Sequence, residues 1–589
     1  MAIGIPYKQA KLSESWDAII IGSGIGGLTA SVLLALHAGR RVLVLERHYE
    51  TGGFTHTFHR PGYQWDVGLH YVGQMGDRAS QVRRAFDSIT GGGVAWHPMP
   101  AVYDRFLIDG RRFEFSSGVE AFRDGLRQAF PSETAAIDRY LATVHAANRW
   151  SGLYFTEKAL PAPLARVAGG LMRAPFLRWA RLTTREVLEN LTSNRELIGV
   201  LAAQWGDYGL PPAQSSFAMH AIIVEHYLGG AFYPVGGAAS IAAAMVPLIE
   251  SAGGSVVTSA EVASVVLEAG CAAGVRMSDG TVFRAPLVIS DAGAANTFER
   301  LLPPDLPELD SLRADLRTLT SSTAHVSLYI GLDATDAALG LTGTNLWVYP
   351  SFDHDANVER FGRDPDAPLP GTYISFPSAK DPDFQRRYPG HSTIEAIAMV
   401  PWQPFARWEQ TPWKRRGKEY ESLKDSIAAR LRAEVERQVP TVAPCIAHAE
   451  LSTPATTRHF MNYRQGEIYG IASTPRRFLA RRLGARTPVR GLYLTGQDAA
   501  TLGIVGALFG GIVCASAALR KNLIGTVSRN SPLPGSAFSR KPATVSTPGS
   551  ARGALPEDPA SGKSGRHTAD NPVQAALAGI SPPAGRSES

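Results

Sequence analysis

Residues 16–47, WDAIIIGSGIGGLTASVLLALHAGRRVLVLER, decide the fold. Ala18 to Ile21 form a short apolar, mostly β-branched run of the kind a buried parallel strand needs, and Gly22-Ser23-Gly24-Ile25-Gly26-Gly27 follows at once. A helix is expected from Leu28 to Ala38, ended by Gly39, and a second strand over Val42–Leu45 ends on Glu46. The segment is a complete strand-turn-helix-strand unit. Gly22 permits the tight turn, Gly24 lets a pyrophosphate approach the backbone, and Gly27 lets the helix lie close on the sheet. The helix N-terminus presents unpaired N–H groups to the phosphates, and Glu46 is placed to accept hydrogen bonds from a ribose diol. Taken alone, this unit implies a bound dinucleotide and leaves NAD and FAD equally open.

The chain has 589 residues, 44% of them hydrophobic, enough for a large core and two or three domains. A net charge of +6 without a compact Lys/Arg run argues against nucleic acid and suits an anionic cofactor or an anionic membrane surface. Cys271, Cys445 and Cys514 form no CxxC pair, so neither a disulfide framework nor a metal site is expected. The N-terminal residues lack the apolar run of a secretory signal peptide, which gives an expected location inside the cell, cytoplasmic or peripherally membrane-associated. Residues 499–519 are uncharged and long enough to span a bilayer. Their glycine and alanine content, directly after the polar turn Gly496-Gln497-Asp498, favours a buried helix on a sheet.

Beyond Glu46 and Arg47, a turn carries paired glycines, Gly52 and Gly53, and WDVGLHYVG at 65–73 mixes glycine with aromatics. Such a stretch suggests backbone against a flat ligand, with Asp66, His70 and Tyr71 near it. Residues 78–195 read mostly as helix, with a hairpin at 104–115 turning on Asp109-Gly110. Within them, 160–182 interleaves Leu, Met, Phe and Trp with Arg166, Arg173, Arg178 and Arg181 and has no acid, a pattern suited either to a membrane interface or to a solvated face over a core stripe. Residues 229–292 return to glycine turn, helix and strands; strands of a second sheet are expected at 323–332, 345–349, 372–376 and 392–399, and a charged helix at 414–438. The Pro/Ser/Gly-rich residues after about 524 read as disordered.

GSGIGG with Glu46, Gly52-Gly53, WDVGLHYVG, FYPVGG at 232–237 and YLTGQDAATLGIVGALFGG at 493–511 together resemble the flavin-dependent phytoene desaturase and carotenoid isomerase family. TPATTRHFMNYRQGEIYG at 453–470 and GLHYVG resemble its retinol saturase branch, the all-trans-retinol 13,14-reductases. The resemblance runs from Trp16 to Leu519 and leaves out the tail. It implies an α/β fold in which a discontinuous Rossmann-like FAD-binding domain carries an interposed α+β substrate domain, in an amine-oxidase-like architecture. The corresponding division is an extension at 1–15, FAD-binding stretches at 16–77, 229–298 and 453–523, a mostly helical substrate or membrane-facing part at 78–228, a sheet-and-helix substrate part at 299–452, and a tail at 524–589.

Carried over by motif, the cofactor set is Gly22, Gly24, Gly26 and Gly27 at the pyrophosphate, Glu46 and Arg47 at the ribose side, and the Gly52-Gly53 turn. Val262 would reach the adenine through its backbone, and Gly496 and Asp498 the ribityl-phosphate region. Gly503, Ile504 and Val505 would lie at the flavin's pyrimidine edge. The resemblance further implies an apolar tunnel for a lipophilic polyene, reduced by hydride from flavin N5 and a proton from the protein. His70, Tyr71 and Glu225 are the candidate acids, with Glu467 and Tyr469 as loop anchors or further candidates. Desaturation and redox-neutral isomerisation use the same site, and the electron partner is not encoded. A second GxGxxG is absent, so NAD(P)H is expected only as an indirect or transient reductant. A prenyl-protein escort of the same fold is the non-enzymatic alternative, disfavoured because it has no need of the full cofactor set.

Overall fold

The computed structural model describes residues 3–160 and 162–529. Its central sheet has six strands, all parallel, in the spatial order Ile5–Pro6, Ser255–Thr258, Val42–Leu45, Ala18–Ile21, Val288–Ser290 and Leu492–Leu494. Ala18–Ile21 and Val42–Leu45 are buried at every residue, because a parallel sheet is covered by helices on both faces and has no polar side to alternate with. Strands from 16–77, 229–298 and 453–523 meet here. The chain leaves Ala18–Ile21 toward one edge and later returns to its other side at Val288–Ser290, so a crevice opens at the carboxyl ends of these two strands.

The helix expected from Leu28 begins at Ile25, inside the glycine run, and ends at Ala38 with Gly39 as its left-handed cap. Residues Gly503–Leu519 form a helix packed against it, with Gly506, Leu508 and every residue of Gly510–Ala517 buried. Among the described residues no helix is long and apolar enough to cross a membrane.

A second sheet has seven strands, in the order Ile446–Ser452, Ala324–Leu332, Ser392–Val400, Thr372–Ser375, Asn345–Tyr349, Val102–Ile108 and Arg111–Ser116. Its pairings are antiparallel except Asn345–Tyr349 with Val102–Ile108. The hairpin that the sequence places in the helical stretch therefore completes the sheet formed otherwise by residues 324–452. Helices between Val119 and Tyr227 pack with this sheet around an aromatic-rich core that includes Tyr103, Phe106, Phe115, Phe122, Tyr140 and Trp205.

Two expectations change at the ends. Residues 1–15 are more than an extension, since Ile5–Pro6 adds an edge strand to the central sheet. Leu523–Ser528 is a helix with Leu523 and Val527 buried, so the expected disordered tail does not begin at 524; its residues 530–589 lie outside the described residues.

Candidate active site

The glycine turn and the two strand ends beside it build a groove of about 410 Å³. Gly22 takes φ +96°, a conformation closed to most side chains, and Gly24 caps the helix that starts at Ile25. A Cβ on Gly26 would lie 2.5 Å from Gly496 Cα and 2.6 Å from Gly496 N, so the first and last cofactor motifs touch backbone to backbone. Gly53, at φ +57°, lies so close that its Cβ would stand 2.9 Å from Gly24 Cα. At the far end Glu46 is buried, with Oε2 accepting from Ser23 N (2.8 Å) and Ser23 Oγ (2.7 Å) and Oε1 accepting from His48 N (2.7 Å). Oε2 is thereby filled, and Oε1, with one bond, keeps acceptor capacity for a ribose hydroxyl. Arg47 and Arg300 add positive charge to the rim. A backbone cradle without Cβ atoms, a helix N-terminus and a terminal carboxylate fit a dinucleotide.

Gly22, Gly24, Gly26, Glu46, Arg47, Gly52, Gly53, Val262, Gly496, Gly503 and Ile504 all border the groove. Three residues of the expected set do not. Gly27 lies beneath it, where a Cβ would meet the carbonyl of Gly22, and so works in helix packing. Asp498 turns away, with Oδ2 accepting from Ala294 N (2.8 Å) and Oδ1 from Ile471 N (2.9 Å), and is buried. Val505 borders the neighbouring cavity instead, because successive residues of a helix start face different ways.

Asp291, not singled out from sequence, lies at the base of the glycine turn and borders the groove. Burial, reinforced by the charges of Glu46 and Asp498 against backbone N–H groups of Gly27 and Gly24, pushes its carboxyl up to about 8. It is therefore mostly neutral near pH 7 and does not repel a phosphate. Its place at the carboxyl end of a parallel strand beside the switch point is a signal the sequence did offer.

A second cavity, about 490 Å³, meets the groove at Gly68, Tyr469, Gly503 and Ile504. Its wall is largely apolar, with Phe155, Met219, Ile222, Ile223, Leu502 and Phe509. His70 and Tyr71 border it as the sequence expects. Glu225 does not. On the helix Phe217–Tyr227, the positions 219, 222, 223, 226 and 227 face the cavity, and Glu225, about 100° round from its neighbour, points outward within 3.6 Å of His145. Asp66 also misses both spaces; it accepts from Ala238 N (2.8 Å) and from the Tyr233 hydroxyl, tying the end of its own strand to the stretch 233–238. Glu467 is a loop anchor, with Oε2 accepting from Gln465 N at 2.7 Å, while Tyr469 stands at the junction of groove and cavity.

A polar cluster forms part of the cavity wall at His70, Tyr71 and Asp207 and continues behind it. His70 Nδ1 is 2.8 Å from Glu395 Oε2, and burial together with the charge of Lys380 holds its imidazole down to about 3, so it is neutral. Lys380 Nζ donates to His70 O (3.0 Å) and Ser375 Oγ (2.7 Å). Tyr71 Oη stands 3.1 Å from Asp104 Oδ2 and 2.7 Å from Asp207 Oδ2. Asp207 borders the cavity and carries no motif in the sequence.

A doubly wound sheet whose glycine-lined groove opens onto an apolar chamber defines a dinucleotide-binding oxidoreductase. Residues 20–89 match the NAD(P)-binding Rossmann-like domain family. The fold is shared with putrescine oxidase, solved with putrescine bound, at TM-score 0.55 and 16% identity over 86% of this chain and 99% of that one. All-trans-retinol 13,14-reductase of Danio rerio is 37% identical over 88% of each chain. Prolycopene isomerase 1 of an Oncidium hybrid cultivar is 26% identical over 87% of this chain and 85% of its own. The chain belongs to the all-trans-retinol 13,14-reductase family.

Proposed function

We propose that this protein binds FAD in the groove and saturates a carbon-carbon double bond of a lipophilic polyene of retinoid or carotenoid type held in the cavity. The observation that carries the reading is the meeting of the two spaces at Gly503 and Ile504, the first residues of the helix Gly503–Leu519. Gly22, Gly24, Gly26 and Gly496 would hold the pyrophosphate, Glu46 the ribose and Val262 the adenine, and the N-terminus of the helix Gly503–Leu519 would face the flavin ring with its positive dipole end. Bound there, reduced FAD supplies a hydride. The protein's part is to exclude water, align the alkene in the apolar chamber and furnish a proton. NAD(P)H, if it is the electron source, would visit transiently, since the chain carries a single glycine-turn unit.

Anaerobic mixing of the FAD-loaded, reduced protein with all-trans-retinol or phytoene tests the reading. The expected result is flavin reoxidation with a product two hydrogens heavier. Product of altered double-bond geometry without net oxidation would favour the isomerase reading suggested by the Oncidium relative's name, and no response to any polyene would overturn both.

We also propose that the substrate enters from a membrane surface through the helix Ala162–Ala180. Leu164, Val167 and Leu171 are 56%, 83% and 81% exposed and share one helical stripe. This helix packs on Ser151–Glu157, whose Ser151, Gly152, Phe155 and Thr156 border the cavity. Replacing all three apolar residues by Ser removes apolar contact worth a few kcal/mol. Flotation with anionic liposomes is expected for the wild type and lost in the triple variant; equal flotation of both would refute the contact.

A further inference from the structure

We propose that Asp207 is the cavity's proton donor, a carboxylic acid kept protonated by its pairing with Asp104 across the Tyr71 hydroxyl. The proposal rests on the saturase reading.

Geometry carries it. Asp104 is fully buried on the strand Val102–Ile108 and accepts three hydrogen bonds: from Asn345 Nδ2 (2.8 Å), Gln204 Nε2 (3.0 Å) and Tyr71 Oη (3.1 Å). Burial raises the Asp104 carboxyl, but its three donors oppose that rise, whereas Asp207 has a single such partner, so of the two Asp104 is the better placed to hold the negative charge. Asp207, in the short helical turn Ala203–Tyr208, has Tyr71 Oη at 2.7 Å as its hydrogen-bond partner and faces the cavity. A phenol has one proton. If both carboxylates were ionised, one of them would face a bare oxygen of Tyr71 inside a dry core. A proton on Asp207 resolves the conflict: Asp207 donates to Tyr71 Oη, and Tyr71 donates to Asp104.

The surroundings agree. Burial, then the charge of Asp104, pushes the Asp207 carboxyl well above its ordinary range, opposed by the Tyr71 hydrogen bond and by Lys380. The other titratable groups facing it, Tyr103, Tyr208, Tyr227, Tyr349, Tyr373 and Tyr469, are phenols that burial keeps neutral. The two imidazoles that border the cavity, His70 and His226, are held neutral by burial, with the charge of Lys380 adding to it at His70, and are weaker acids.

The step balances. A bound reduced flavin would supply the hydride for one new C–H bond; Asp207 would give its proton to the alkene π electrons for the other and be left as a carboxylate. It regains its proton from water between turnovers. Tyr71 is a positioning residue that orients the Asp207 proton.

The test uses the FAD-loaded protein and three variants, Asp207→Asn, Asp207→Glu and Asp104→Asn. With all-trans-retinol under anaerobic conditions, Asp207→Asn is expected to slow saturation about 100-fold or more, with cofactor loading unchanged and Asp207→Glu recovering part of the rate. The wild-type rate falls as pH rises through the pKa of Asp207. Removing the neighbouring negative charge in Asp104→Asn lowers that pKa and moves the fall to lower pH, a shift that a merely structural role would not produce. Infrared difference spectra give a readout independent of turnover: a protonated-carboxyl carbonyl band present in wild type and absent in Asp207→Asn, or displaced in Asp207→Glu should the Asn variant not fold. A rate in Asp207→Asn within threefold of wild type overturns the proposal, as does a carboxyl band that none of the variants changes. If the wild type reduces no polyene, the saturase reading falls with the proton-transfer role, and the infrared comparison still decides whether Asp207 stores a proton.

Discussion

Gly26→Ala is expected to yield a protein that does not load FAD and unfolds at lower temperature. The new Cβ would lie 2.5 Å from Gly496 Cα, 2.6 Å from Gly496 N and 2.8 Å from Asp291 Oδ1. None of these can step aside. Gly496 sits at φ +77° in the turn after the strand Leu492–Leu494, and Asp291 is buried below the turn. Overpacking a core that can yield costs about 1–3 kcal/mol. Here the relief must come from moving the helix Ile25–Ala38 away from the turn at Gly496, which spoils the groove as well. The close approach continues along the pair of helices, since a Cβ on Gly511 would meet Gly26 O at 2.6 Å. Gly39→Asn is the control: a Cβ there meets nothing within 4 Å, and Asn tolerates the left-handed cap at φ +59°. FAD titration followed by absorbance, with thermal unfolding of the same samples, reads both effects. Wild-type loading by Gly26→Ala would mean that the motif's ends are not in contact in the protein.

This contact explains which parts of the site could be read in the sequence. The strand Ala18–Ile21, the glycine turn and Glu46 lie within one local unit, and local periodicity and spacing specify them. Ile5–Pro6 has two residues with exposed side chains and no pattern, so its pairing with Ser255–Thr258 is invisible until the sheet is assembled. The hairpin at Val102–Ser116 was legible as a hairpin, but its parallel pairing with Asn345–Tyr349, which sets Asn345 opposite Asp104, joins residues about 240 apart. That pairing creates the Asp104 site, and through Tyr71 the environment of Asp207. No motif marks Asp207 because its chemistry comes from neighbours on other elements. Glu225 fails for a related reason. Its helix is apolar on nearly every side, so the sequence does not mark which positions line the cavity, and only the assembled packing turns 225 away from it.

Asp498→Ala is expected to destabilise the protein by about 3–5 kcal/mol even without cofactor, from two buried donors left unpaired and one buried cation left without its counter-charge. The Gly496-Gln497-Asp498 turn suggested a ligand to the ribityl chain, since such a carboxylate follows a strand and precedes a helix. The structure gives its oxygens other work. Oδ2 accepts from Ala294 N, at the start of the helix after the strand Val288–Ser290, and Oδ1 accepts from Ile471 N, in the segment that crosses beside the groove. Arg477 is also buried, its guanidinium donating to Ile471 O and Gln497 O, with Asp498 supplying a nearby negative charge. One side chain thus ties three stretches of chain that are far apart in sequence. Alanine removes both acceptors at once; Asn keeps one and sets an amide N–H against a backbone N–H, so an intermediate loss is expected. Urea unfolding of the cofactor-free protein separates the two readings. A ribityl ligand would leave the cofactor-free midpoint unchanged and lower FAD affinity alone, whereas a structural clasp lowers the midpoint first and weakens FAD binding as a consequence of the loosened groove.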